Sequence, residues 1–151
     1  MSNAKQVSVD DPESPSCYQL ETAMGAAIEC FEGAAALVVS RDRFAPVKTT
    51  NDLLLLWSDA YRVTEDARLV PTESETGGRC LVDLDKEFFG KVGDLEERFP
   101  HGAPSLVDCD RFVVEGDYVF GTGIVARGEV RLSNESTTRV VVADRSRLGD
   151  A

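Results

Sequence analysis

The chain has 151 residues, 42% of them hydrophobic, and a net charge of −11, which suits one soluble globular protein with a moderate core. All of the net negative charge falls on residues 1–110, since residues 111–151 carry six acids and six bases; no basic stripe is available for a nucleic acid. The apolar run Leu53–Trp57 is far too short for a membrane span, and Cys17, Cys30, Cys80, Cys109 and the lone His101 lack the clustering of a metal site and read as free thiols in a reducing cytoplasm.

Residues 1–16 hold acids, serines and two prolines but few large apolar side chains. They predict a flexible tail or extended arm, with no secretory signal over the first 20 residues. Over 19–32, Leu20, Ala23, Met24, Ala27, Ile28 and Phe31 recur at helical spacing, and Gly33 suits a helix stop. Residues 36–40 predict a short buried strand. A turn bearing Arg41, Arg43 and Pro46 leads to Lys48. Thr49 and Asp52 then have the spacing of a capping box, so a helix starts directly after Lys48. Its Leu53–Leu56 stretch is apolar nearly all round and predicts a buried helix. Residues 71–79 read as a polar loop, 80–84 as a strand, and 91–99 as a short helix or turn.

The last part has a different rhythm. Phe112, Tyr118, Ile124 and Val130 lie six apart, and so do Val114, Phe120, Ala126 and Leu132. Glycines at 116, 121, 123 and 128 fall between them. Such a period suits a parallel β-helix, whose coils have three short sides each; an antiparallel meander with loops of similar length has the same spacing. After Leu132 the polar Asn134-Glu135-Ser136 interrupts the pattern.

No nucleophile elbow or P-loop occurs, and a single histidine defines no triad. Lys48 is the position with a physical argument. A base at the amino end of a helix adds a full charge to the free N–H groups and positive helix end, and together these suit a phosphate. The alternative is a lysine whose stem covers apolar surface while its head stays in water. Arg41 and Arg43 aid an anion or pair with nearby acids.

Three stretches together resemble the UTP–glucose-1-phosphate uridylyltransferase family: Gln19-Leu20-Glu21-Thr22-Ala23-Met24-Gly25-Ala26-Ala27-Ile28, the run from Ser40-Arg41-Asp42-Arg43-Phe44-Ala45-Pro46-Val47-Lys48 to Leu55, and Val114-Glu115-Gly116-Asp117-Tyr118-Val119-Phe120-Gly121. Arg98-Phe99-Pro100 falls between the second and third. The resemblance implies the carboxy-terminal part of an enzyme that couples UTP and glucose-1-phosphate to UDP-glucose and pyrophosphate. It implies an α/β fold: the carboxy-terminal remnant of a nucleotidyltransferase domain over 17–108, then a short left-handed parallel β-helix over 109–151 that serves oligomerisation. It also implies that Lys48, with Arg43 beside it, contacts phosphate. Magnesium belongs to the full-length enzyme, because the family's metal-binding aspartate and glycine-rich nucleotide loop lie in an amino-terminal half with no counterpart here. The expectations are therefore a cytoplasmic chain that is inactive alone, with no catalytic or metal-ligating residue of its own. Self-association is expected through exposed helix faces or the β-helix. The alternatives are a stand-alone β-helix assembly module and a uridylyltransferase for another sugar phosphate.

Overall fold

The computed structural model describes residues 2–8, 11, 13–20, 28, 30–40, 44, 46–73 and 80–149. The chain divides into two compact units, residues 1–39 and 40–151.

In the first unit, strand β1 (Ser2–Gln6) pairs antiparallel with β2 (Ser16–Leu20). Where the composition suggested a flexible tail or an extended arm, a hairpin stands, because backbone pairing needs no apolar side chain. Gln19 and Leu20, placed by their spacing at the start of a helix, belong to β2. Residues 21–27 and 29 of that expected helix lie outside the described residues. The expected buried strand at 36–40 does not form. Residues 34–40 belong to none of the described strands, and Leu37 and Val38 are 87% and 94% exposed. A run of β-formers becomes a strand only when an edge is available to take its hydrogen bonds.

The second unit opens with helix α1 (Thr50–Trp57). Thr49 caps it in extended conformation, φ −134° and ψ 166°, and Asp52 completes the capping box. The helix is less buried than its sequence suggested. Leu54 is fully buried, Leu53 and Leu55 pack against the core from partly exposed positions, and Trp57 is 43% exposed. A two-stranded hairpin follows, β3 (Tyr61–Val63) with β4 (Leu69–Pro71). Of the predicted loop 71–79, Pro71 ends β4 and residues 74–79 lie outside the described residues.

Strand β5 (Leu81–Leu84), helices α2 (Lys86–Phe89) and α3 (Val92–Arg98), and strands β6 (Cys109–Glu115), β7 (Tyr118–Phe120), β8 (Val125–Ser133), β9 (Val140–Val142) and β10 (Arg147–Gly149) complete the unit. One sheet has the order β10-β8-β6-β5 and another pairs β7 with β9, and every pairing in both is parallel. The antiparallel meander is therefore excluded for this segment.

The six-residue spacing explains the register. Phe112 pairs with Val130 and Val114 with Leu132, each 18 positions on, which is three sides of six. Phe112, Val114, Tyr118, Phe120, Ile124, Ala126 and Val130 are all buried, and Leu132 packs against them. The next turn is longer. Tyr118 pairs with Val140 and Val125 with Arg147, 22 positions on. The added residues form the Asn134 turn, in which the Asn134 side chain accepts from the Ser136 N–H and donates to the Thr138 and Asp117 carbonyls. Asn134-Glu135-Ser136 is thus a corner, and the parallel pairing runs on to Gly149. The stacked corners touch closely: at Gly116, with φ 88°, a Cβ would lie 2.1 Å from the Asn134 carbonyl oxygen, so only glycine fits.

A column of rings fills the interior. Phe99 stacks on Phe120 at 4.5 Å, while Phe89 and Phe112 tilt against this pair at 5.9 Å each. Carboxylates and an amide tie the remaining backbone. Asn51 Oδ1 accepts from the Leu84 N–H of edge strand β5, and Asp85 caps α2 while accepting from the Gly116 N–H. Asp59 accepts from the Ser105 hydroxyl and the Leu106 and Val107 N–H groups. No buried side-chain polar atom is left without a partner among the described residues.

Candidate functional site

The amino end of α1 places the first predicted site residue. Lys48 immediately precedes the cap and is exposed. The Asp52 carboxylate folds back beneath it: Oδ2 accepts from the Lys48 N–H at 3.0 Å, the Thr49 N–H at 2.9 Å and the Thr49 hydroxyl at 2.9 Å. The Asp52 N–H in turn donates to Thr49 Oγ1 at 3.4 Å. The hydrogen bond from the Lys48 backbone, with those from Thr49 and the nearby ammonium, holds the Asp52 carboxyl below its ordinary range against the opposing effect of burial.

By its sequence, the helix end offers free N–H groups to a phosphate. The Asp52 carboxylate takes the N–H groups of Lys48 and Thr49, which precede α1, and leaves that expectation as it stood. The capping-box spacing of Thr49 and Asp52 was visible in the sequence, but the bond to the Lys48 N–H, one residue further out, was not. Arg43, the second predicted site residue, and Arg41 lie outside the described residues.

A second ionic cluster lies between α3 and β7. Arg98, 7% exposed, donates to Asp117 at 2.8 Å, and Arg139 donates to the other Asp117 oxygen at 3.0 Å and to Glu97 at 2.7 Å. The Arg98 guanidinium also lies over the Phe88 and Phe89 rings at 5.6 and 5.5 Å. Burial alone would raise the Asp117 carboxyl, but the bonds from Arg139 and Arg98 outweigh it and hold the group low. Every charge here is matched, so the cluster is structural.

An open groove of about 270 Å³ is lined by Trp57, Asp59, Pro104, Gly123 and Ile124 among others, but the Asp59 carboxylate is spent on the 105–107 backbone and hydroxyl. Cys80 and Cys109 are buried in the core, where their mutual hydrogen bond and burial push the Cys80 thiol up. His101 is exposed in a turn. Among the described residues no group of three or more His, Cys, Asp or Glu side chains is arranged to hold a metal ion. Among them, too, no helix is long and apolar enough to cross a membrane.

A mixed α/β chain with an all-parallel main sheet and a lysine at a capped helix end defines a class of fold, and the comparisons narrow it. The profile of the UTP–glucose-1-phosphate uridylyltransferase family matches residues 1–127. The potato enzyme of that name, from Solanum tuberosum, is 39% identical over 127 residues, which are 83% of this chain and 26% of the relative. The Saccharomyces cerevisiae enzyme is 41% identical over 128 residues, 85% of this chain and 25% of the relative. A Leishmania major UDP-glucose pyrophosphorylase solved with UDP-glucose is 47% identical, with a TM-score of 0.78 over all of this chain and 32% of its own. A Trypanosoma brucei UDP-glucose phosphorylase matches at 42% and 0.78, over 97% of this chain and 32% of its own. The chain belongs to the UTP–glucose-1-phosphate uridylyltransferase family, a family of transferases, and spans about a third or less of the length of these relatives.

Proposed function

We propose that this chain is the carboxy-terminal part of an enzyme that transfers uridylyl from UTP to glucose-1-phosphate, giving UDP-glucose and pyrophosphate, and that it is inactive alone. The observation that carries the reading is the family match over residues 1–127, joined to a chain that spans 32% of the Leishmania major structure. In this reading residues 17–108 complete the catalytic α/β domain. Residues 109–151 form a left-handed β-helix whose edge strands β9 and β10 are open to self-association. The enzyme works in the cytoplasm.

The chemistry asked of this chain is charge neutralisation. A sugar-phosphate oxygen attacks the α-phosphorus of UTP and pyrophosphate leaves, so negative charge shifts among phosphate oxygens in the transition state. Lys48, with Arg43 before it, meets that charge. Magnesium belongs to the whole enzyme, and the reading of this chain assigns no step to it.

The test is a graft in which this chain replaces the matching segment of the Leishmania major enzyme. The graft turns over UTP and glucose-1-phosphate, while the isolated chain releases no pyrophosphate. Lys48→Ala in the graft lowers kcat/KM by about tenfold for each ~1.4 kcal/mol of transition-state stabilisation it removes, with an unchanged melting temperature. Pyrophosphate release by the isolated chain at the graft's rate sinks the reading, as does full activity of the alanine variant for Lys48.

A further inference from the structure

We propose that Cys80 and Cys109 are a redox-sensitive pair, which hydrogen peroxide joins in a disulfide that fastens edge strand β5 to strand β6. The inference does not depend on the reading of Lys48. Cys80 stands immediately before β5, and Cys109 opens β6, the strand with which β5 pairs. Leu81 is opposite Arg111, so the place beside Cys80 on the neighbouring strand falls at residue 110. The register of β6 against β8 is irregular between Cys109 and Arg111. At this irregularity Asp110 is exposed, whereas Cys109, 1% exposed, joins the core that also holds Cys80. Two thiols therefore meet inside the molecule, at the same end of neighbouring strands, and they are hydrogen-bonded to each other. Neighbouring strands run about 4.7–4.9 Å apart, within the Cα separation of about 4.4–6.8 Å that a disulfide spans.

The two thiols are chemically unequal. Cys80 donates to the Cys109 sulfur, and the Cys109 thiol donates to the Arg111 and Gly128 carbonyls at 3.3 and 3.4 Å. The bond from Cys80 holds the Cys109 thiol below its ordinary value against the opposing effect of burial. Cys109 is therefore the sulfur that attacks the peroxide. It takes one peroxide oxygen as the O–O bond breaks, and the other oxygen leaves as water with the Cys109 proton. Cys109 is then a sulfenic acid. The Cys80 sulfur attacks it, the S–O bond breaks, and the hydroxyl leaves as a second water with the Cys80 proton. Each sulfur has given up one electron, and one peroxide has been reduced to two waters. Cys80 also borders a cavity of about 10 Å³ that Tyr61, Pro71 and Leu106 help to line, room for one water-sized molecule.

The test uses the whole chain with the two exposed cysteines replaced, Cys17→Ser and Cys30→Ser, so that the buried pair alone remains. Under hydrogen peroxide the thiols that titrate after denaturation fall from two to none. Mass spectrometry finds the Cys80 and Cys109 peptides joined, and lighter by two hydrogens than the separate thiols. The oxidised chain unfolds at a higher urea concentration, because the bridge restricts the unfolded chain, and dithiothreitol reverses the shift. Cys80→Ser in the same background keeps its urea midpoint under peroxide. Where that variant does not fold, the parent chain alone decides. Two thiols that survive peroxide in the folded chain, yet are lost once urea unfolds it, overturn the proposal. A bridge that forms no faster than the chain unfolds, timed by amide exchange in β6, overturns it also, because the bond then belongs to the unfolded chain. So does a bridge that lowers the urea midpoint, since the folded strands then do not fit it.

Discussion

Two regions of similar apolar content behave in opposite ways. From Cys109 to Gly149, the side chains marked by the six-residue period turn inward and are buried or packed against the core. From Ile28 to Trp57, Ile28, Phe31, Leu37, Val38, Val39, Phe44, Val47 and Trp57 are all 43% exposed or more. The first region is held by parallel strand pairing, and its buried side chains share one core with Leu54, Phe89, Leu95 and Phe99. In the second, Leu54 is buried and Leu53 and Leu55 pack on the core, but the side chains just named stand largely exposed. The relatives are about three times longer or more, and the contrast separates a packed core from apolar side chains left at the surface in each of the two units.

Removing a core ring breaks the packed side hardest. Phe120 is 1% exposed and touches three rings, with Phe99 stacked on it. Phe120→Ala is expected to cost about 3–5 kcal/mol, because the paired parallel strands are held in register and close little of the cavity. Urea unfolding followed by far-UV circular dichroism measures it. A loss under about 1 kcal/mol means that the stacked strands do not depend on their core.

The ionic cluster is the next lever. Asp117→Asn keeps an acceptor but leaves Arg98 buried without its anion, at a cost of about 2 kcal/mol. The sign of its pH dependence follows from the lowered Asp117 carboxyl. A group held below its unfolded value stabilises the fold above that value, near pH 4, and the contribution is lost as pH falls through the folded value. Wild type is therefore expected to lose stability in acid more steeply than Asp117→Asn. Parallel acid limbs in the two melting curves would show that Arg98 and Arg139 do not hold that carboxylate.

These effects also mark what was legible beforehand. Parallel strands paired 18 positions apart bury side chains at regular intervals, so Phe112, Tyr118, Ile124 and Val130 announced themselves by spacing. Thr49 and Asp52 did so too, because a cap is local. The Arg98–Asp117–Arg139 cluster was not legible: its partners are 19 and 22 residues apart, and in a chain with 27 acids no spacing selects the pair. The strand expected at 36–40 failed for a related reason. Ala36-Leu37-Val38-Val39 has the composition of a buried strand, but burial requires a neighbour, and composition does not say whether the neighbour lies in the same chain. Lys48 stands between these cases. Its place before a helix could be read from the capping box, whereas the bond from the Lys48 N–H to the Asp52 oxygen appeared only in the structure.

The smallest expected change in stability tests the other half of the comparison. Leu37→Ser together with Val38→Ser replaces two side chains that are 87% and 94% exposed, so the unfolding free energy should move by no more than about 0.5 kcal/mol in either direction. The same substitutions remove apolar surface that water must otherwise hydrate, and an exposed apolar patch is relieved by association. Sedimentation velocity over a concentration series should therefore show self-association in the wild-type chain and a shift toward monomer in the double variant, at nearly equal stability. A destabilisation above about 1 kcal/mol would place Leu37 and Val38 in a core. Unchanged association would leave Trp57 and Ile28 as the next contacts to remove. The diagnostic result is the separation of the two readouts, because a packed core loses stability when its side chains are cut, while a surface patch loses only its partner.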